Sequence, residues 1–160
     1  MKEDTAISEQ EVEEIQKRWG EGIVRIGKVF SEDGDYRSEA LEHIQNFYGY
    51  EMGSVLFKPT MAYQKPFRLN IEGALSYFAG GDENYPEDHG FAIKPWISVR
   101  WESAGIKISG STALSMGNYY FTPAGGGAEV KAEYSFAFTK DSSGRIRILL
   151  HDSHIPYSPN

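Results

Sequence analysis

The chain has 160 residues, 40% hydrophobic and 24% charged, with 16 Lys and Arg against 23 Asp and Glu and a net charge of −7. That balance excludes a nucleic-acid partner, because binding phosphate backbones needs a concentrated basic face. The absence of cysteine removes disulfides and thiolate metal sites, and no apolar run of about 18 residues is present to span a membrane.

One domain over residues 1–160 is expected, long enough to bury a full core. The N-terminus "MKEDTAISEQEVEEI" is acidic and polar, without a signal-peptide pattern. It fits a soluble, cytoplasmic protein, or a periplasmic one from which a leader has been removed. Ser8 followed by Glu11 is a capping-box signature that starts a helix. Val12, Ile15, Trp19, Ile23, Ile26 and Phe30 follow at spacings of about three or four and share one face. Gly20, Gly22 and Gly27 weaken this helix and leave room for another element to approach closely.

"EDGDY" (32–36) is a turn. A second helix runs from about Tyr36 to Phe47, with Leu41, Ile44, Phe47 and Tyr48 facing inward and His43 at the edge of that stripe. "SVLFKPTMAYQKPFRLN" (54–70) reads as short strands interrupted by Pro59 and Pro66. "IEGALSYFAGGDENYPEDHG" (71–90) is a short helix or strand and then a polar loop. From residue 91 the chain is an antiparallel meander. Val130, Ala132, Tyr134, Phe136 and Phe138 alternate with polar or small residues on a half-buried strand. "KDSSGR" is a hairpin turn, and 146–153 is the returning strand. Helices first and long antiparallel strands afterwards make an α+β fold. A curved sheet around the long N-terminal helix would enclose a cone-shaped cavity.

The terminal stretch "LLHDSHIPYSPN" (149–160) runs from apolar into His-Asp-Ser-His. Strand alternation puts Leu149 and His151 with Ser153 on one face, expected to line the cavity, and Ile148, Leu150 and Asp152 with His154 on the other. His151 and His154 therefore share one ion only if the strand breaks between them, and a metal on His151 would draw on His43, His89 or a distant carboxylate. His151, Asp152 and His154 are also the residue types of general acid–base work, and equally those of a strand ending at solvent. Three hydroxyls sit beside apolar residues: Thr60 in "KPT", Tyr77 in "SYF" and Ser153 in "HDS". Their spacing does not link them. "PAGGGAE" (123–129) lies between strands and is a hairpin loop, not a phosphate cradle.

Six segments occur in the order seen in the iota-class carbonic anhydrases. They are "LFKPTMA" (56–62), "GALSYFAGG" (73–81), "GFAIKPWISVRW" (90–101), "ALSMGNYYFT" (113–122), "EVKAEYSFAFTKD" (129–141) and "LLHDSHIPY" (149–157). The chain resembles that family from about residue 8 to 157. The family has the SnoaL-like, nuclear transport factor 2-like cone and is related to the calcium/calmodulin kinase association domain. The resemblance implies reversible hydration of CO2 to bicarbonate in the cone cavity. Members are described as working without metal, while others are associated with manganese or zinc; here no metal site and no cofactor is expected. By motif, the groups that hold water and bicarbonate map onto Thr60, Tyr77 and Ser153. His151 and His43 are then expected to transfer protons or support these groups, with Leu149, Phe57 and Phe78 lining the substrate pocket. Without metal, the site must either take a proton from the water as attack proceeds or lower the Tyr77 pKa enough for a phenolate to help. The family's His-His-Ser-Ser ending is His-Asp-Ser-His in this chain, which keeps His151 and Ser153. The same fold pairs through its open sheet face, which implies a homodimer.

Two other readings use the same cone. One is a non-enzymatic ligand-binding or oligomerisation module, since fold alone does not set function. The other is an isomerase resembling ketosteroid isomerase, which needs an inward carboxylate; Glu72, near "GALSYF", is the residue that tests it.

Overall fold

Ser8 opens the first helix as the sequence predicts. In the computed structural model, which describes residues 6–160, its hydroxyl accepts the Glu11 N–H and the Glu11 carboxylate accepts the Ser8 N–H at 2.9 Å. Helix α1 (Glu9–Ser31) then buries Val12, Ile15, Trp19, Ile23 and Ile26. Its glycines face three different neighbours. A methyl on Gly20 would touch Val99 and Trp101, one on Gly22 would strike the His43 ring, and one on Gly27 would strike Pro95. Helix α2 (Tyr36–Phe47) is capped by Asp35, whose carboxylate accepts the Ser38 N–H.

Strand β1 (Leu56–Lys58) is all the regular strand found in 54–70, where the interrupted pattern suggests several. Pro59 ends it, because proline has no N–H for the ladder. Helix α3 (Ile71–Ala79), capped by Asn70, resolves the helix-or-strand ambiguity of 71–79. The meander follows as β2 (Trp96–Ser109), β3 (Thr112–Pro123), β4 (Val130–Lys140) and β5 (Ile146–His154).

These strands form one sheet in the order β1-β5-β4-β3-β2, antiparallel except for the parallel β1–β5 edge. α1 lies across β2, and α2 and α3 close the remaining side. The inner face carries Tyr119, Phe121, Ala132, Tyr134, Phe136 and Phe138, all nearly inaccessible to solvent. The alternation read on β4 thus holds along its whole length.

β5 departs from simple alternation. Ala137 pairs with Leu150 and Phe138 with Ile148, so Leu149 is an extra residue in a bulge. The bulge reverses the parity of the strand. Ile148, expected to face outward with Leu150 and Asp152, is buried with Phe138 in the core.

A second irregularity, between Ser103 and Gly105, bends β2 opposite Gly117. A Cβ on Gly117 would lie 2.3 Å from the Glu102 carbonyl oxygen and 2.9 Å from the Tyr134 hydroxyl, whereas one on Gly105 meets nothing within 4 Å. Gly117→Ala should therefore destabilise the fold by roughly 1–3 kcal/mol, the usual penalty of overpacking. Gly105→Ala should stay within about 0.5 kcal/mol of the parent. Urea unfolding of the two variants side by side checks the pair.

Candidate active site

β5 places His151 and Ser153 on the inner face, both essentially closed to solvent. β1 aligns with it so that Phe57 lies opposite His151 and Lys58 opposite Asp152. Lys58 Nζ donates to the Ser153 carbonyl at 2.9 Å. Just past Pro59, the Thr60 hydroxyl comes to 2.6 Å from Ser153 Oγ. Tyr77 arrives from α3; its oxygen accepts the Met61 N–H at 3.2 Å and lies within hydrogen-bonding reach of Thr60. Three hydroxyls that no spacing connects in the sequence meet in this way.

The segment after Thr60 has no helix or strand, so its position depends on ion pairs. Fully buried Arg68 donates twice to Asp88, at 2.7 and 2.8 Å. Ser76 Oγ donates to the same carboxylate at 2.6 Å. Glu87 accepts the N–H groups of Tyr63 at 2.7 Å, Gln64 at 3.1 Å and Lys65 at 2.8 Å. A buried pair this well satisfied is costly to break from one side, which pins the Thr60 loop onto α3.

The hydroxyls open on a chamber of about 10 Å³, room for a single water on the scale at which one water needs about 10–15 Å³. Trp19, Phe57, Pro59, Phe78 and Phe91 form its apolar wall; Thr60, Tyr77, Tyr119, His151 and Ser153 form its polar wall. Tyr77 and Phe91 also border an outer vestibule of about 440 Å³. Their rings stack with centroids 5.5 Å apart and separate the two spaces.

Behind the polar wall runs a chain of hydrogen bonds. The Tyr119 hydroxyl donates to Ser153 Oγ and lies 3.1 Å from His151 Nε2. His151 Nδ1 lies 2.8 Å from the Tyr48 hydroxyl, and Trp19 Nε1 donates to Tyr48 at 3.0 Å. Burial sets the charge state of these groups. It lowers the His151 pKa to about 3, with His43 contributing in the same direction, so the ring is neutral at ordinary pH. Burial likewise pushes Tyr77 and Tyr119 well above the usual phenol value, outweighing the hydrogen bonds that pull them down. Tyr77 is therefore a phenol, opposite in direction to the lowered pKa that a phenolate would require.

Thr60, Tyr77, Ser153, His151, Phe57 and Phe78 all border the chamber. Leu149 does not: the bulge turns it away, toward Gly49. His43 stands behind Trp19, with ring centroids 5.8 Å apart, and touches none of the hydroxyls. His89 borders the outer vestibule. His154 is on the opposite face from His151, as alternation requires, 3.1 Å from Glu133. Glu72 is exposed on α3, so it is not the inward carboxylate that an isomerase would use. Among the described residues no three His, Cys, Asp or Glu side chains gather as a metal site. Tyr119, Tyr48 and Trp19 are site residues that the sequence does not single out. Tyr119 sits in the "MGNYYF" motif, and its inward parity on β3 is the signal that finds it.

A family model described as "Metal-independent carbonic anhydrase" matches residues 10–155. A protein of the same description from Nostoc sp. is 43% identical over 155 residues, 95% of this chain and 75% of its own length. An iota-carbonic anhydrase from a cyanobacterium, solved in complex with bicarbonate, superposes with a TM-score of 0.95 at 40% identity, covering 98% of this chain and 96% of that one. A putative calcium/calmodulin-dependent protein kinase type II association domain from Thiobacillus denitrificans has a TM-score of 0.54 at 10% identity, over 82% and 93% of the two chains. A nuclear transport factor 2-like protein from Salmonella enterica has 0.51 at 13%, over 93% and 96%. The last two share the fold alone.

The two buried histidines make stability depend on pH. Burial also lowers the His43 pKa to about 3 from 6.5, helped by Arg25. As pH falls below 6.5 the unfolded chain takes up these protons first, so stability present above that value is lost progressively toward 3. Each unit costs about 1.4 kcal/mol per histidine. The urea midpoint should fall from pH 7 to 4.5, and His43→Phe should flatten that fall. An unchanged slope in the variant would contradict a neutral, buried His43.

Proposed function

Because the chain belongs to the metal-independent carbonic anhydrase family, we propose that its reaction, reversible hydration of CO2 to bicarbonate, takes place in the chamber behind Tyr77 and Phe91, the whole chain acting as one domain. The observation that carries this reading is the meeting of Thr60, Tyr77 and Ser153 on one wall of a pocket whose opposite wall is apolar. CO2 is uncharged and is favoured by the rings of Phe57, Phe78 and Phe91, which part beyond the one-water spacing of this structure to admit it. Bicarbonate is charged and rich in acceptors, and the hydroxyls donate to it.

In the forward direction the water oxygen bonds to the CO2 carbon and one C=O electron pair moves onto oxygen. One water proton is given up to a solvent water on the vestibule side, which carries it as hydronium to buffer. Negative charge grows on the former CO2 oxygens as attack proceeds, and pre-placed donors in a dry site lower that barrier. Tyr77 is placed to donate directly, whereas Tyr119 acts through Ser153, to which its hydroxyl donates; raised pKa values keep both tyrosines protonated for this. Substrate and released proton pass the vestibule side of Tyr77 and Phe91, the residues common to both spaces. Leu149 has no part in this pocket, and His43 supports it from behind, through Trp19 and Phe78.

The outer face of the sheet supports a homodimer. Leu56, Leu114 and Met116 are each at least half exposed, and Ile106, Leu114, Met116, Ala137 and Leu150 line an apolar depression of about 490 Å³. A second copy of this face covers it in a two-fold pair.

Stopped-flow CO2 hydration on exhaustively chelated protein, with elemental analysis of the same sample, tests the enzyme reading. Activity should survive chelation, and Tyr77→Phe should lower kcat at least about tenfold by removing one donor. No activity, even with manganese or zinc added, leaves the binding module in its place. For the dimer, Leu114→Glu should move the elution volume to that of a monomer. A parent protein already eluting as a monomer rejects the pairing.

A further inference from the structure

Trp19 and Tyr48 lie outside the hydroxyl trio, yet they connect to it through His151. We infer that these two are positioning residues: they hold His151 as the Nε2–H tautomer and thereby aim every hydroxyl proton of the chain toward the chamber. The inference rests on the reading of the chamber as the catalytic site and adds the direction of its hydrogen bonds.

One group in the chain has no freedom. An indole N–H only donates, and Trp19 Nε1 lies 3.0 Å from the Tyr48 oxygen. Tyr48 therefore accepts from Trp19. Among the described residues its own proton has one other partner, His151 Nδ1 at 2.8 Å. That nitrogen must be the bare acceptor. A neutral imidazole carries one donor and one acceptor, so Nε2 bears the proton and donates to the Tyr119 oxygen at 3.1 Å. Tyr119 in turn donates to Ser153 Oγ. The Ser153 proton is left for Thr60 Oγ1 at 2.6 Å. Tyr77 already accepts from the Met61 N–H and lies within reach of Thr60, so of the last two protons, those of Thr60 and Tyr77, one joins this pair and the other is left for the chamber.

The neutrality of His151 stands on what surrounds it. Trp19 from α1, Tyr48 at the end of α2, Phe57 from β1, Tyr119 from β3 and Phe136 from β4 enclose the ring. None carries a charge. Both nitrogens are occupied, so His151 is not the acceptor of the water proton. Its part is to transmit a fixed orientation from Trp19 to the donors that meet bicarbonate.

Ring ¹⁵N NMR on histidine-labelled protein, with His151 assigned by His151→Gln, reads the tautomer directly. Protonated Nε2 and bare Nδ1 are expected, unchanged between about pH 5 and 8 because the buried ring does not titrate there. A protonated Nδ1, or an imidazolium in that range, overturns the inference. Trp19→Phe removes the N–H and keeps an aromatic ring, and Tyr48→Phe removes the intermediate hydroxyl. Each should let both tautomers appear, and lower kcat about tenfold while KM for CO2 moves less than about threefold, as expected when orientation of donors is lost and the apolar wall is kept. Either variant retaining a single Nε2–H signal removes that residue from the positioning role. An active enzyme with protonated Nδ1 overturns only this inference. An inactive protein with protonated Nε2 supports the hydrogen-bond direction and overturns the catalytic reading on which it rests.

Discussion

Most of this structure follows from burying one uncharged imidazole. His151 is stacked between Phe136, with centroids 4.1 Å apart, and Phe57, at 5.1 Å, where an unpartnered ring nitrogen would cost about 1–3 kcal/mol. Each of its nitrogens has to find a partner from a different layer. Tyr48 reaches it from the end of α2, and Tyr119 from the middle of β3. Trp19 can complete Tyr48 only if α1 lies close against the sheet, and Gly20 permits that approach beside Val99 and Trp101. The aromatic core and the polar chain through it are therefore one construction.

The second buried histidine shows how specific that arrangement is. His43 is as deeply buried as His151, but neither of its nitrogens has a partner among the described residues. It packs edge-on to Phe78 and against the backbone at Gly22. Its contribution is the shape of the wall behind Trp19. His151, by contrast, is wired on both sides. Two rings with the same burial and the same depressed basicity thus have different duties, and their partners decide which is which.

Much of the fold was legible because periodicity is a local property. The Ser8–Glu11 box, the apolar stripe of α1 and the alternation of Val130 through Phe138 each depend only on neighbours in the sequence. The hydroxyl trio was legible by motif, but not its connection, since Thr60 and Ser153 are 93 residues apart and their meeting depends on the parallel pairing of β1 with β5. Residues 59–70 carry no periodic signal; buried Arg68 and the Asp88 and Glu87 carboxylates hold them in place. Tyr119, Tyr48 and Trp19 look like ordinary core aromatics in sequence. Only the geometry shows that their polar ends form a line. The expected place of Leu149 failed for a definite reason: alternation was carried across a bulge that no residue type announces.

That bulge divides β5 into two stretches set in opposite phase. Before it, even-numbered positions such as Ile148 face the interior; after it, odd-numbered ones do, which brings His151 and Ser153 inside. A strand of uniform phase could satisfy the hydrophobic core or the reaction chamber, but not both with this spelling. With Ile148 kept inside, it would turn Leu150 and Asp152 inward and hand His151 and Ser153 to the outer surface. One surplus residue acts as a frame-shift in space. It lets a single strand answer to two sets of constraints, and the chemistry of the chain hangs on the length of the strand as much as on the identity of its side chains.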